Sequence, residues 1–188
     1  MTRYRERLLF LIAILCFGAV GLALLSQHVF DMPPCAWCVL QRLIYLCIGV
    51  VALAGALAGA IAARLAAMLA ALLAICGIVA AWYQYSVAAK MLSCDQTFAD
   101  RFMSATGLDG ALPWLFGIYA TCMDATVAVL GIEYAIWSLA LFVIVLALAL
   151  PAACSSTWAT RPTTPDRRGA AGLRKPAARP SGVAPQRR

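Results

Sequence analysis

Residues 42–90 read RLIYLCIGVVALAGALAGAIAARLAAMLAALLAICGIVAAWYQYSVAAK, and Arg64 is the single charge between the arginine and the lysine at its ends. Each of the two apolar runs, 43–63 and 65–89, meets the roughly 20 residues that a helix needs to cross a bilayer. Ala, Leu, Ile, Val and Gly fill them without proline or polar alternation, which suits helices and not the ten-residue alternating strands of an outer-membrane barrel. Two further runs without Asp, Glu, Lys or Arg lie outward from this pair, at 8–30 and 134–160. The first is too long for a signal-peptide core, and no small-x-small cleavage site follows it. The reading is an all-α membrane protein, a bundle of four transmembrane helices at about 8–27, 39–63, 65–87 and 134–154, with Arg64 in a very short turn between the second and third.

Composition agrees. Of 188 residues 64% are apolar and 12% charged, against about 25% charged in a soluble domain, and the mean hydropathy is +0.86. The net charge of +7 belongs to one segment. Residues 155–188 hold Arg161, Arg167, Arg168, Arg174, Lys175, Arg179, Arg187 and Arg188 against Asp166 alone, among five prolines. That balance argues against a nucleic-acid-binding domain and predicts a disordered tail that touches anionic lipid or anchors the topology.

Lys and Arg are retained on the cytoplasmic side. Arg3, Arg5, Arg7, Arg64 and the tail fall on one face of the bundle, and Asp31, Asp95, Asp100, Asp109, Asp124 and Glu133 on the other. Both termini are therefore expected in the cytoplasm, with loops at about 28–38 and 88–133 outside. The apolar stretch ALPWLFGIYAT at 111–121 and the helical spacing of Phe98 and Phe102 lay the long loop on the membrane surface or pack it onto the bundle. Trp82, Tyr83, Tyr85, Tyr134 and Trp137 read as interfacial anchors.

This topology sorts the eight cysteines. Cys16, Cys47, Cys76 and Cys154 fall among apolar helix residues, where a thiol is a small hydrophobe. Cys35, Cys38, Cys94 and Cys122 all fall in the two outside loops, and four cysteines allow three pairings. Cys35-Ala36-Trp37-Cys38 has the spacing of thiol-disulfide oxidoreductases, zinc ribbons and c-type haem sites. Haem attachment needs His where Val39 stands. Zinc is disfavoured, because 27 residues separate the other two cysteines and the sole histidine, His28, lies upstream; no metal is expected. A redox dithiol fits better: Pro33 and Pro34 end the first helix, and the second begins near Cys35 with its amide N–H groups toward the sulfurs. Arg42, one turn beyond Cys38, either snorkels to the interface or stabilises a thiolate and an anionic ligand oxygen. Cys94 and Cys122 either close the long loop as a structural bridge, a contribution of about 3–4 kcal/mol, or form a second reactive pair that exchanges with the first. Oxidising thiols requires an acceptor of two electrons; with no Rossmann fingerprint or P-loop in the chain, a lipid-soluble acceptor is expected beside Cys38, between the second and third helices.

Four helices, P-C-x-x-C opening the second, Arg42, a long loop with two cysteines, and Gly131, Glu133 and Trp137 entering the fourth helix resemble the bacterial disulfide bond formation protein B (DsbB) family over residues 5–155. The resemblance implies a quinone-dependent thiol oxidase of the bacterial inner membrane that reoxidises a soluble periplasmic DsbA-like thiol oxidase and passes the electrons to ubiquinone or menaquinone. Cys94 would receive the attack of the reduced partner, with Cys122 paired to it. Cys35 would exchange with that pair, and Cys38 and Arg42 would bind the quinone, Arg42 also stabilising the thiolate. The sequence departs from the family in the Ala36-Trp37 dipeptide and in Gln84 and Tyr85, where members often carry a histidine. Rival readings are a non-enzymatic membrane protein whose loop cysteines are structural disulfides or a metal site, and a quinone reductase resembling the vitamin K epoxide reductase family.

Overall fold

The computed structural model describes residues 2–90 and 97–154; Cys94 and the basic segment 155–188 lie outside them, and with them the expectations of a reactive Cys94 and a disordered tail. The four long helices are α1 (Thr2–Val29), α2 (Ala36–Leu57), α3 (Ala60–Ser86) and, after the long loop, α7 (Tyr134–Cys154). All four are long and apolar enough to cross a membrane. Leu22, Val50, Ile61, Leu72 and Val79 point outward, the surface that lipid requires.

Several helix ends differ from the expectation, most of all at the turn between the second and third helices. The second helix was placed at 39–63 with Arg64 in the turn, but α2 starts at Ala36, stops at Leu57 and turns over Ala58 and Gly59, leaving Arg64 exposed in the second turn of α3. Gly59 has φ +96°, a backbone that residues with a Cβ rarely adopt, so the glycine and not the charge sets the reversal. At its other end α2 is set by Pro33 and Pro34, which cannot continue a hydrogen-bonded helix; Cys35 is the N-cap, its carbonyl accepting from Val39 N at 3.0 Å.

The helices form a ring in which α1 packs on α2, α2 on α3, α3 on α7 and, more loosely, α7 on α1. Small residues make the tight contacts. Ala63, Ala67, Ala70, Ala74, Gly77 and Ala81 recur at helical spacing along α3 and are buried. A Cβ on Gly55 would collide with Ala66, and one on Gly77 with the ring of Phe142, which stacks on Tyr45 with centroids 4.0 Å apart. Near the chain start Arg5, read from sequence only as a flanking charge, is 4% exposed and donates to Ala152 O (2.8 Å) and Ala60 O (3.0 Å), fastening α1 to the last turn of α7 and the first of α3.

The long loop contains α4 (Phe98–Thr106), the single turns α5 (Leu108–Ala111) and α6 (Pro113–Phe116), and a hairpin of β1 (Ala128–Val129) and β2 (Ile132–Glu133). A capping box of Thr97 and Asp100 starts α4. Its Ala99 and Met103 pack with Phe116 onto Cys35, Ala36, Trp37 and Val39, a second core under the loop. Phe98 and Phe102 lie on its exposed side. Leu130 and Gly131 turn the hairpin with positive φ, and Trp137 Nε1 donates to Val129 O at 3.2 Å.

Candidate active site

The site forms where the long loop folds over the first turn of α2. Three contacts hold it there. Tyr119 N donates to Pro34 O (3.1 Å), His28 Nε2 to Trp114 O (3.2 Å), and Arg42 Nη1 to Leu115 O (3.1 Å). His28 is thus a loop fastener, and the loop packs onto the bundle. Tyr83, read as an interfacial anchor, lies against Trp37 with ring centroids 4.8 Å apart.

Cys35 Sγ and Cys38 Sγ are 3.1 Å apart, so a small side-chain rotation closes the bond. Cys35 is fully buried. Cys122, half-buried in the loop, reaches the same place: the Cys35 thiol and the Trp37 backbone N–H both hydrogen-bond to its sulfur. Of the backbone amides at the start of α2, that of Cys35 serves Cys38, as expected for the dithiol, and that of Trp37 serves the third thiol. These contacts divide the protons. Hydrogen bonding from Cys35, and then the Trp37 amide, hold Cys122 below the usual cysteine range against the opposing effect of burial. Cys35, hydrogen-bonded to the sulfurs of Cys122 and Cys38 and buried, is pushed well above it. The contact thus favours the thiolate form of Cys122 and the protonated form of Cys35.

Cys38 faces the other way, into a cavity of about 510 Å3. The acceptor was expected between the second and third helices. Half of this cavity's lining instead comes from α1 and α7, whose loose packing leaves the space, and the rest from α2 and the two connecting loops, with Gln84 as the contribution of α3. Its walls are apolar (Val20, Leu22, Leu141, Ile144), and Cys38, Gln41, Arg42 and Gln84 add polar groups.

Arg42 does not snorkel. It is 6% exposed, and its guanidinium donates to Gln27 Oε1 (2.6 Å), Leu115 O (3.1 Å) and Ala23 O (3.4 Å), all neutral oxygens. Among the described residues no carboxylate pairs with this buried arginine, which leaves a positive potential at the cavity that suits an anionic oxygen. Hydrogen bonds onto Cys38 come from elsewhere: the backbone N–H of Cys35 donates to its sulfur, and so does Gln84 Nε2 at 3.2 Å. Sequence reading noted Gln84 only as a departure from the family's histidine and passed over Gln41, though two amides inside helices that cross a membrane are the kind of signal that marks a site; Gln41 is 4% and Gln84 6% exposed.

The size and lining of the cavity suit a ring bearing polar oxygens on an apolar tail, since ligand pockets are typically about 300–1,000 Å3 with a few convergent polar groups. Three thiols converging beside such a cavity define a membrane-embedded dithiol oxidoreductase with a lipid-soluble acceptor. Comparison with known proteins agrees. The profile of the disulfide bond formation protein DsbB family matches residues 5–152. Similar proteins include disulfide bond formation protein B of Ralstonia nicotianae, 36% identical over 74% of this chain and 87% of the relative. That of Cupriavidus necator is 34% identical over 74% and 88%, and disulfide bond formation protein B 1 of Pseudomonas putida 33% identical over 74% and 84%.

The chain belongs to the DsbB family. It is a membrane thiol oxidase, a quinone-linked disulfide oxidoreductase of the inner membrane whose role is to reoxidise DsbA.

Proposed function

We propose that the four loop cysteines form a two-stage relay. Cys94 and Cys122 are the pair that meets the soluble DsbA-like partner: a partner thiolate attacks Cys94, Cys122 leaves as a thiolate, and the partner's second thiol then displaces Cys94 to complete the partner's disulfide. Cys122 next attacks Cys35 of the Cys35–Cys38 disulfide. The Cys122–Cys35 bond forms, the Cys35–Cys38 bond breaks, and Cys38 leaves as a thiolate. Attack by Cys94 on Cys122 restores the loop disulfide and releases Cys35 as a thiol. Returned to the disulfide, the Cys35–Cys38 pair gives up two electrons and two protons.

A quinone bound in the α1–α7 cavity supplies the two-electron, two-proton acceptor for that last change. Cys38 and Arg42 hold it there, Arg42 by donating to an anionic oxygen. Both ubiquinone and menaquinone have a ring and tail of this kind; the one that supports turnover is the physiological choice. The charge distribution supports cytoplasmic termini, periplasmic loops, and a membrane domain over 1–154 followed by a cytoplasmic basic segment 155–188.

The observation that carries this reading is the position of Cys35, which has Cys122 on one side and on the other Cys38, the sulfur that lines the cavity. Removing Cys94 and Cys38 together leaves each stage one thiol. The purified Cys38→Ser/Cys94→Ser protein, oxidised in detergent and mapped by peptide mass spectrometry, should carry a Cys35–Cys122 disulfide. If those two stay as separate free thiols, the second stage is wrong.

A further inference from the structure

One network links three helices and ends on Cys38. Tyr45 OH donates to Ser138 O at 3.0 Å and is 3.1 Å from Ser138 Oγ. Ser138 Oγ donates to Gln41 Oε1 (2.6 Å), Gln41 Nε2 to Gln84 Oε1 (2.7 Å), and Gln84 Nε2 to Cys38 Sγ (3.2 Å). Tyr45, Gln41 and Cys38 belong to α2, Gln84 to α3 and Ser138 to α7.

The chain has a sense. Ser138 has one hydroxyl hydrogen, and it goes to a carbonyl oxygen that only accepts. Gln41 must then present its NH2 to Gln84, which in turn presents its own NH2 to the sulfur. Turning either amide alone would set two donors or two acceptors face to face in a site where unmade hydrogen bonds are costly. With Ser138 donating, a donor at the sulfur end is set from two links away; with both amides turned together an acceptor would face the sulfur, which suits a thiol and not a thiolate. Arg42 donates to Gln27, Leu115 and Ala23, so its effect on Cys38 acts through space, whereas Gln84 touches the sulfur.

We propose that Gln84, oriented through Gln41, Ser138 and Tyr45, solvates Cys38 as an anionic sulfur inside the membrane, the four side chains acting as one positioning unit for the leaving thiolate. Each member is uncharged, so the unit stabilises negative charge on sulfur without placing an acid beside it. The inference rests on the reading of Cys38 as the sulfur that leaves during exchange.

The test is the pH profile of Cys38 alkylation by neutral iodoacetamide, read by peptide mass on the full chain in detergent and reduced beforehand. A Cys35→Ser background keeps Cys38 from re-forming its disulfide. Arg42 on α2, Cys122 in the long loop and Tyr134 on α7 face the sulfur in every variant, so their contributions are common to all. Gln84→Leu should move the profile to higher pH and slow alkylation at pH 7 about tenfold, the effect of losing a hydrogen bond to a charged group. Gln84→His, which restores an N–H donor, should recover most of it. Ser138→Ala, which touches no sulfur and removes one oxygen, should slow alkylation about two- to threefold. It carries the test if Gln84→Leu does not fold. Profiles of Ser138→Ala and any folded Gln84 variant that superimpose on the parent overturn the inference. Quinone turnover by the protein with Cys35 intact is measured separately. Turnover without a profile shift sinks this inference alone, and a profile shift without turnover sinks the relay while the positioning role stands.

Discussion

Cys122 and Cys35 share one contact and are driven in opposite directions by it, and that asymmetry is measurable. The thiolate is the reactive form, Cys122 sits below the usual cysteine range and Cys35 well above it. In the fully reduced protein iodoacetamide should therefore modify Cys122 before Cys35 between about pH 7 and 8.5, and the gap should narrow as the pH climbs past the ordinary thiol range. Faster modification of Cys35 at pH 7.5 would reverse the assigned direction of attack. Arg42 offers a second prediction: Arg42→Leu should raise the KM for quinone at least about tenfold, and Arg42→Lys should fall between, because it keeps the charge and loses the planar fork. Initial rates at varied quinone concentration check it; an unchanged KM in Arg42→Leu would remove the arginine from the acceptor site. Much of this was legible in the sequence. The C-x-x-C spacing and an arginine one turn later are local facts, whereas Gln41, Gln84 and Ser138 lie far apart in the chain and meet through helix packing that no single segment reveals. Trp137 is similar, since its bond to Val129 O exists only because a hairpin forms.

At the scale of elements, charge-free length found all four spans, because the bilayer imposes that length whatever the detail. Their ends depended on other signals. Arg64 interrupts an apolar run without turning the chain, whereas Gly59 turns it, and a scan for charges is blind to a glycine. The alanine stripe of α3 was in plain view but says nothing about its partner until Gly55 meets Ala66 and Gly77 meets Phe142. Gly77→Val should accordingly lower stability by about 1–3 kcal/mol, since Phe142 is fully buried and has no room to yield. Gly21→Val on the exposed side of α1, where an added Cβ meets nothing within 4 Å, should change it by less than about 0.5 kcal/mol. Thermal unfolding of both variants in the same detergent compares them. Equal effects would mean that close packing of α3 on α7 does not limit stability.

For the whole molecule, the ring of helices with its loose α1–α7 seam explains why the cavity beside Cys38 opens toward α1 and α7 and not between α2 and α3. Position in the sequence pointed to α2 and α3, which do supply Cys38, Gln41, Arg42 and Gln84, but those two helices pack closely and the open space lies toward α1 and α7. The same ring, oriented by its basic residues, makes a topological prediction. In reduced spheroplasts a membrane-impermeant maleimide should label Cys94, while a cysteine placed by Ser155→Cys should be labelled only after permeabilisation; the opposite pattern would invert the protein. The most direct test of the relay is oxidation of a reduced DsbA-like partner by the purified protein with ubiquinone or menaquinone, comparing wild type with Cys38→Ser and Cys94→Ser. A relay through both pairs predicts quinone-dependent turnover in wild type and its loss in each variant. Turnover that survives either substitution, or a wild type that stays inactive with both quinones while its cysteines remain oxidised, would contradict it.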